Sequence, residues 1–188
     1  FVTTNIDIHL SGLFPQNDVH FKLNEFEATS LIPKKIFHLH GTINEPTSLV
    51  LTIDQYLLRY RDTNVEKFLK SIFLEGDYRV LFIGYGLEEM EILDYMLEKF
   101  SHKEEVAQRI NRYFILLPFF KNDQVLFEHE EEYFKQIMVT PIPYAIDGRG
   151  YDQLCEVIEK WKAILIGESS TLAEDDFYTK AEIIDRNL

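Results

Sequence analysis

The strongest constraint on this chain is a series of short apolar runs that end at glycine or proline and alternate with helical patterns. One run, Val80 to Ile83, stops at Gly84, and another, Tyr113 to Leu117, stops at Pro118. Runs of this length are typical of buried strands, whereas a membrane-spanning helix needs about 20 apolar residues. Repeated strand–helix units predict an α/β fold with a mostly parallel sheet flanked by helices.

Periodicity and turn residues place the individual elements. Thr52 and Gln55 have the spacing of a helical capping box, and Pro141 and Pro143 interrupt the last strand, which we therefore expect near a sheet edge. The apolar run at 79–85 predicts a strand covered on both faces. Strands are predicted over 1–4, 19–23, 35–40, 48–51, 79–85, 112–119 and 139–146, and helices from 52, 64–74, 88–100, 123–137 and 151–166. The apolar stripe of the last helix comprises Leu154, Val157, Ile158, Trp161 and Leu165.

Composition excludes several classes of protein. The 188 residues include 19 Lys and Arg against 32 Asp and Glu, a net charge of −13. This acidic balance argues against a nucleic-acid or anionic-membrane surface as the partner of this chain, since both require clustered basic residues. A single cysteine, Cys155, excludes a disulfide framework and fits the reducing cytoplasm.

Candidate functional residues follow the predicted strands, because ligands of open α/β sheets bind at the carboxyl ends of the strands. Asn5 follows the first strand, and His40 ends a later one. An Asn amide can orient a hydroxyl or a water, and a His can accept a proton near neutral pH. Each residue also has a plain structural alternative: Asn5 as a helix cap, and His40 as a strand-end residue that satisfies a carbonyl group.

Two further patterns are weaker. His38 and His40 lie two apart and would share a face of a regular strand, but neither His9 nor Cys155 completes a recognisable metal motif, so we predict no metal site. Gly84-Tyr85-Gly86 lies between a strand and a helix, where a backbone can approach phosphate or ribose. The alternative there is a tight turn, with Glu88 and Glu89 placed favourably in the first helical turn.

Three motifs follow one another along the chain: Thr3-Thr4-Asn5-Ile6-Asp7, Leu39-His40-Gly41 and Leu81-Phe82-Ile83-Gly84-Tyr85-Gly86-Leu87. In this order they resemble the motifs of the sirtuin family, and they are most similar to the sirtuin-like domains of bacterial anti-phage defence. The resemblance implies a Rossmann-like domain over residues 1–166. It implies catalytic roles for Asn5 and His40, and contacts to NAD from Thr4, Asp7, Gly41, Gly84, Tyr85 and Gly86.

The activity implied by the resemblance is hydrolysis of NAD to nicotinamide and ADP-ribose, with NAD as substrate and no metal. The alternatives are an NAD-dependent deacylase and a sensor that binds NAD or an ADP-ribose-like signal without turnover. The resemblance also implies a cytoplasmic homo-oligomer, held inactive until a phage-derived trigger or a partner defence protein acts.

The chain departs from the sirtuin pattern in two ways. The glycine-rich loop that holds the cofactor pyrophosphate in sirtuins would precede Phe1, so we expect this chain to be a piece of a longer protein, inactive and weakly NAD-binding by itself. The four zinc-binding cysteines usual in deacylases are missing after His40-Gly41. Residues 167–188, with their acidic cluster, read as a linker or the start of a following domain.

Overall fold

The computed structural model describes residues 1–86, 90–98 and 112–166, and all structural statements concern these residues. The strands are β1 (Val2–Thr3), β2 (Val19–His20), β3 (Ile36–His38), β4 (Val80–Phe82), β5 (Tyr113–Phe119) and β6 (Val139–Ala145). The helices are α1 (Ile53–Tyr60), α2 (Thr63–Lys70), α3 (Met90–Glu98), α4 (Gln124–Gln136) and α5 (Gln153–Leu165). Short 3₁₀ turns connect several of them.

The strands form two three-stranded sheets, ordered β1-β3-β2 and β4-β5-β6. In the first sheet β3 pairs in parallel with both neighbours, and in the second β4 pairs in parallel with β5. Parallel pairing with intervening helices confirms the predicted Rossmann-like α/β class. The central strand β3 is buried along its whole length, as expected for a parallel strand covered on both faces.

An aromatic cluster packs against the first sheet. Phe37 of β3 lies 4.7 Å, ring centroid to centroid, from Phe68 of α2, and Phe26 lies 5.3 Å from Phe68. On the neighbouring strand, His20 stacks on Phe37 at 4.8 Å. These rings fix α2 against the sheet, and the preceding helix α1 is thereby carried to the strand end where the candidate residues lie.

Local signals define the ends of the helix pair. The predicted capping box is present: Thr52 Oγ1 accepts from the Gln55 N–H, and Gln55 Oε1 accepts from the Thr52 N–H. Asp62 caps α2 by accepting from the N–H groups of Asn64 and Val65. One π-helical turn, Ser71–Glu75, extends α2 to Gly76, so the predicted end of this helix is confirmed.

Three sequence predictions about elements are wrong. Residues 48–51 form no strand: a 3₁₀ turn, Pro46–Ser48, occupies its start, and the Val50 N–H donates instead to the His40 carbonyl. The strand at 79–85 is not covered on both faces, because Leu81 of β4 is 40% exposed. On α5 only Val157 of the predicted stripe is fully buried, and Leu165 is 85% exposed.

The last strand shows how proline is tolerated at an edge. Strand β6 runs unbroken through Pro141 and Pro143, although the sequence predicts an interruption there. It lies at the edge of its sheet, as predicted. The prolines are two residues apart, so both missing N–H groups fall on the same side of the strand, where an edge strand needs no partner.

The chain divides into two compact units. The first comprises Phe1–Leu116 and Glu131–Pro141, and the second comprises Leu117–Glu130 and Ile142–Leu188. Within the second unit, the Asp147 carboxylate accepts from the Lys121 N–H. The predicted boundary at residue 167 lies at the start of the residues that are not described, so it stays a prediction.

None of the helices in the described ranges combines the length and the apolar composition that crossing a membrane requires.

Candidate functional site

The parallel pairing of β1 with β3 places the two catalytic candidates after neighbouring strands. Thr3 is the register partner of His38, and Asn5 and His40 each follow two residues later. The strands are parallel, so both residues leave the sheet at its carboxyl end. The Leu39 N–H continues the pairing by donating to the Thr3 carbonyl at 2.9 Å. The structure therefore brings the two predicted loops together.

The backbone of Asn5 is held from both directions. Its N–H donates to Thr3 Oγ1 at 3.1 Å, and its carbonyl oxygen lies 2.9 Å from Nδ1 of His38. Next to it, the Ile6 carbonyl accepts from the Ile43 N–H at 2.9 Å. Asn5 itself is exposed, so its side-chain amide lies at the surface of a constrained loop.

The helix-capping alternative for Asn5 does not describe its position. The next helical segment is the 3₁₀ turn Ser11–Leu13, and its N-cap is Leu10, with no side-chain capping hydrogen bond. A carboxylate nearer by, that of Asp7, accepts from the His9 N–H at 2.9 Å and closes a local turn. Thr4 and Asp7 are half-buried in this loop.

His40 lies in a turn beyond the end of β3 and packs against α1. Its Nε2 is 3.2 Å from the Tyr60 hydroxyl, and its ring lies edge-on to Tyr56 and Tyr60 at 5.8 and 5.9 Å. The two tyrosines are one helical turn apart, and their rings contact each other at 4.6 Å. The imidazole is half-buried with a side-chain hydroxyl at Nε2, and this contact fixes the plane of its ring.

Gly41 permits the turn that carries His40. Its φ angle is +78°, in the left-handed region that glycine adopts readily. A Cβ atom here would lie 2.2 Å from the Ser48 carbonyl oxygen, closer than atoms can approach. The requirement for glycine after His40 is therefore both conformational and steric.

Ser48 and Arg59 hold the segment that packs against Gly41. Ser48 Oγ accepts from the Thr42 N–H at 3.0 Å and donates to the Glu45 carbonyl at 2.7 Å. Arg59 Nη2 donates to the Ser48 carbonyl at 2.9 Å, and Nη1 donates to the Phe21 carbonyl at 3.3 Å. Burial lowers the pKa of the Arg59 guanidinium, the opposing effect of Asp62 being smaller.

The residues that support His40 and Gly41 belong to none of the three motifs. Tyr56, Arg59 and Tyr60 lie on one side of α1, and Arg59 and Tyr60 are buried. The sequence carries one signal for them: two tyrosines at i and i+4 with an arginine between them, in a predicted helix.

The glycine loop of the third motif follows β4, in the second sheet. Gly84 has a φ of +60°, and a Cβ built on it would meet no atom of the described part of the chain within 4 Å. The Tyr85 ring stacks on Phe82 at 5.7 Å. That this loop binds the same ligand as His40 stays a prediction, and the predicted helix start at Glu88 and Glu89 lies outside the described residues.

The metal interpretation gains no support from the geometry. Strand β3 ends at His38, and a turn closed by the Gly41 N–H on the His38 carbonyl carries His40 away from the regular strand. Among the described residues no group of three or more His, Cys, Asp or Glu side chains is arranged to hold a metal ion. Cys155 is exposed on α5.

Comparison with known proteins identifies the family. No curated protein matches the sequence significantly. The family model of the SIR2-like domain matches residues 1–142, about three quarters of the chain, and this range contains the loops after β1, β3 and β4. The chain therefore belongs to the family of SIR2-like domains.

Proposed function

We propose that the intact protein hydrolyses NAD to nicotinamide and ADP-ribose. The observation that carries this proposal is that Asn5 and His40 each follow one of two paired parallel strands, and that each is held by a long-range hydrogen bond. Membership of the SIR2-like family supports NAD as the substrate. The single cysteine among the 188 residues supports water, rather than a peptide held beside a four-cysteine zinc module, as the acceptor.

The bond that breaks joins the nicotinamide nitrogen to the anomeric carbon of the ribose. Nicotinamide leaves as a neutral base from a cationic ring, so the departure needs little help from an acid, and the transition state resembles an oxocarbenium ion. Water forms the new bond to the anomeric carbon. His40 accepts the proton lost by the water or by a ribose hydroxyl and releases it to solvent, while the Asn5 amide orients the same oxygen.

The remaining predicted residues bind the substrate. Asp7 lies on the nicotinamide side, and Thr4 and Gly41 line the ribose beside the two catalytic residues. The ribose and phosphates contact the backbone of Gly84, Tyr85 and Gly86. This suits a loop in which Gly84 has a left-handed φ and no atom of the described residues within 4 Å of a Cβ position.

In the cell, we propose that this activity acts in the bacterial cytoplasm as an anti-phage response that depletes NAD. Such an activity has to be restrained, and we propose a homo-oligomer released by a phage-derived trigger or a partner defence protein. The support for this context is the similarity of the three motifs to the sirtuin-like domains of defence proteins.

The test is the variant His40→Ala in the intact protein. His40 is half-buried at a strand end, so its truncation opens no core cavity, and we expect NAD turnover to fall by about 100-fold or more with the fold retained. The exposed His9→Ala is the matched control and should turn over NAD like the parent protein. Parental turnover by His40→Ala would contradict the proposal.

Two other activities are outcomes of the same assay. Acyl-ADP-ribose formed only in the presence of an acylated peptide would indicate a deacylase. Binding of NAD without any consumption, under every activating condition, would indicate a sensor.

A further inference from the structure

His38 is a fully buried polar residue in the middle of the core. Its exposed fraction is 0%, and its neighbours along β3, Phe37 and Leu39, are also buried. An aliphatic side chain would avoid the cost of removing an imidazole from water at such a position. The position therefore calls for a polar contact that offsets this cost.

The contact that His38 makes is with the backbone of Asn5. Nδ1 of His38 lies 2.9 Å from the Asn5 carbonyl oxygen, 33 residues away in the chain. A carbonyl oxygen can only accept, so Nδ1 carries the hydrogen. The other ring nitrogen, Nε2, is buried and has no hydrogen-bond partner among the described residues. Among the described residues, the imidazole therefore makes its hydrogen bond to this carbonyl group alone.

The consequence for Asn5 is a fixed direction of its Cα–Cβ bond. The Thr3 hydroxyl holds the N–H on one side of the Asn5 Cα atom, and His38 holds the carbonyl on the other. With both flanking polar groups held, the backbone angles of Asn5 are set, and they fix the Cα–Cβ direction and restrict the rotamers from which the amide can reach the substrate.

We propose that His38 is a positioning residue that aims the Asn5 amide. This inference rests on the proposed function, in which Asn5 orients the attacking oxygen. His38 acts through Asn5, not on the substrate. Displacement of a catalytic group by about 1 Å lowers rates by about 100-fold, so a small shift in the Asn5 backbone is enough to matter.

The test compares His38→Leu with His38→Asn in the intact protein. Leucine fills the apolar space without a donor, whereas the asparagine amide places a donor near the position of Nδ1 but packs poorly. If His38 has a purely structural role, the more stable variant should also have the higher turnover, so that His38→Leu exceeds His38→Asn in both melting temperature and kcat. The positioning role predicts that the two variants rank oppositely in stability and in turnover. His38→Leu has the higher melting temperature, yet its kcat is about 10- to 100-fold below the parent value, with KM changed far less. His38→Asn has the lower melting temperature but keeps most of the parent kcat.

His20→Leu is the matched control. His20 also has a buried Nε2 without a partner among the described residues, and it stacks on Phe37, but its strand is on the other side of β3 from Asn5. We expect its kcat to remain near the parent value. A loss in His20→Leu equal to that in His38→Leu would overturn the positioning role.

A second measurement does not depend on turnover. The amide NMR signals of Asn5 and Ile6 flank the carbonyl that His38 holds, and we expect them to shift in His38→Leu and return towards the parent position in His38→Asn. If the parent protein consumes no NAD, the proposed function fails, and these signals alone decide whether His38 sets the Asn5 backbone. Unchanged signals in His38→Leu would overturn the inference.

Discussion

The loops after β1 and β3 differ sharply from the loop after β4, although all three carry motifs of the same family. Hydrogen bonds from His38 and Thr3 hold the backbone of Asn5, and a hydrogen bond with the Tyr60 hydroxyl holds the His40 ring. Around Gly84, no atom of the described residues lies within 4 Å of the site of a Cβ. A bond-breaking step needs groups fixed before the substrate arrives, whereas a loop that accepts a phosphate needs open backbone.

The sharpest test of the constrained region is Asn5→Ala. Asn5 is exposed and its side chain caps no helix, so its loss should leave the melting temperature nearly unchanged. We expect turnover to fall by about 100-fold, as for the loss of an orienting amide in other active sites. Steady-state kinetics and a thermal melt on the same sample measure both quantities. A large loss of stability with normal specific activity would instead assign Asn5 a structural role.

Two of the glycines with a positive φ, Gly41 and Gly84, extend the comparison to stability. The Cβ of an alanine at Gly84 would meet no atom of the described residues within 4 Å. The substitution Gly84→Ala should therefore lower the free energy of unfolding by about 1 kcal/mol, through the left-handed backbone conformation alone. Alanine at Gly41 adds a collision with the Ser48 carbonyl, for about 1–3 kcal/mol more. Chemical denaturation of the two variants gives the difference directly. Equal free energies of unfolding would show that the His40 turn is no more constrained than the glycine loop.

The smallest expected effect is that of Tyr60→Phe. Tyr60 is 5% exposed, so phenylalanine keeps the ring packing against His40 and removes only the hydroxyl at Nε2. We expect kcat to fall about 10-fold, with a stability loss of about 1 kcal/mol. Tyr151→Phe, at a residue that is 72% exposed, is the control and should match the parent protein. If Tyr60→Phe and Tyr151→Phe have identical kinetics, the Tyr60 hydroxyl does not orient His40.

Local signals in the sequence were sufficient for much of the fold. The Thr52–Gln55 capping box, the end of α2 near Gly76 and the edge position of β6 depend on residues close together in the chain, and the structure confirms them. The fold class followed from the same strand–helix alternation.

Predictions that depended on distant packing were less successful. Apolar composition alone did not show that Leu81 would be exposed at a sheet edge, or that Leu165 would be exposed on α5. The site shows the same limit. The positions of Asn5 and His40 after strands were predictable, and their catalytic roles stay predictions. The contact between the Tyr60 hydroxyl and His40, 20 residues apart, and the contact between His38 and Asn5, 33 residues apart, were not predictable. Pairings of that kind are set by tertiary structure.

The central claim is that Asn5 and His40 direct water to the anomeric carbon of NAD. Chromatography of the products formed from NAD by the activated, intact protein, without any peptide, tests it most directly. The account predicts nicotinamide and free ADP-ribose in equal amounts, and their loss in both His40→Ala and Asn5→Ala. Products that appear only with an acylated peptide, or that persist at the parental rate in both variants, would contradict it.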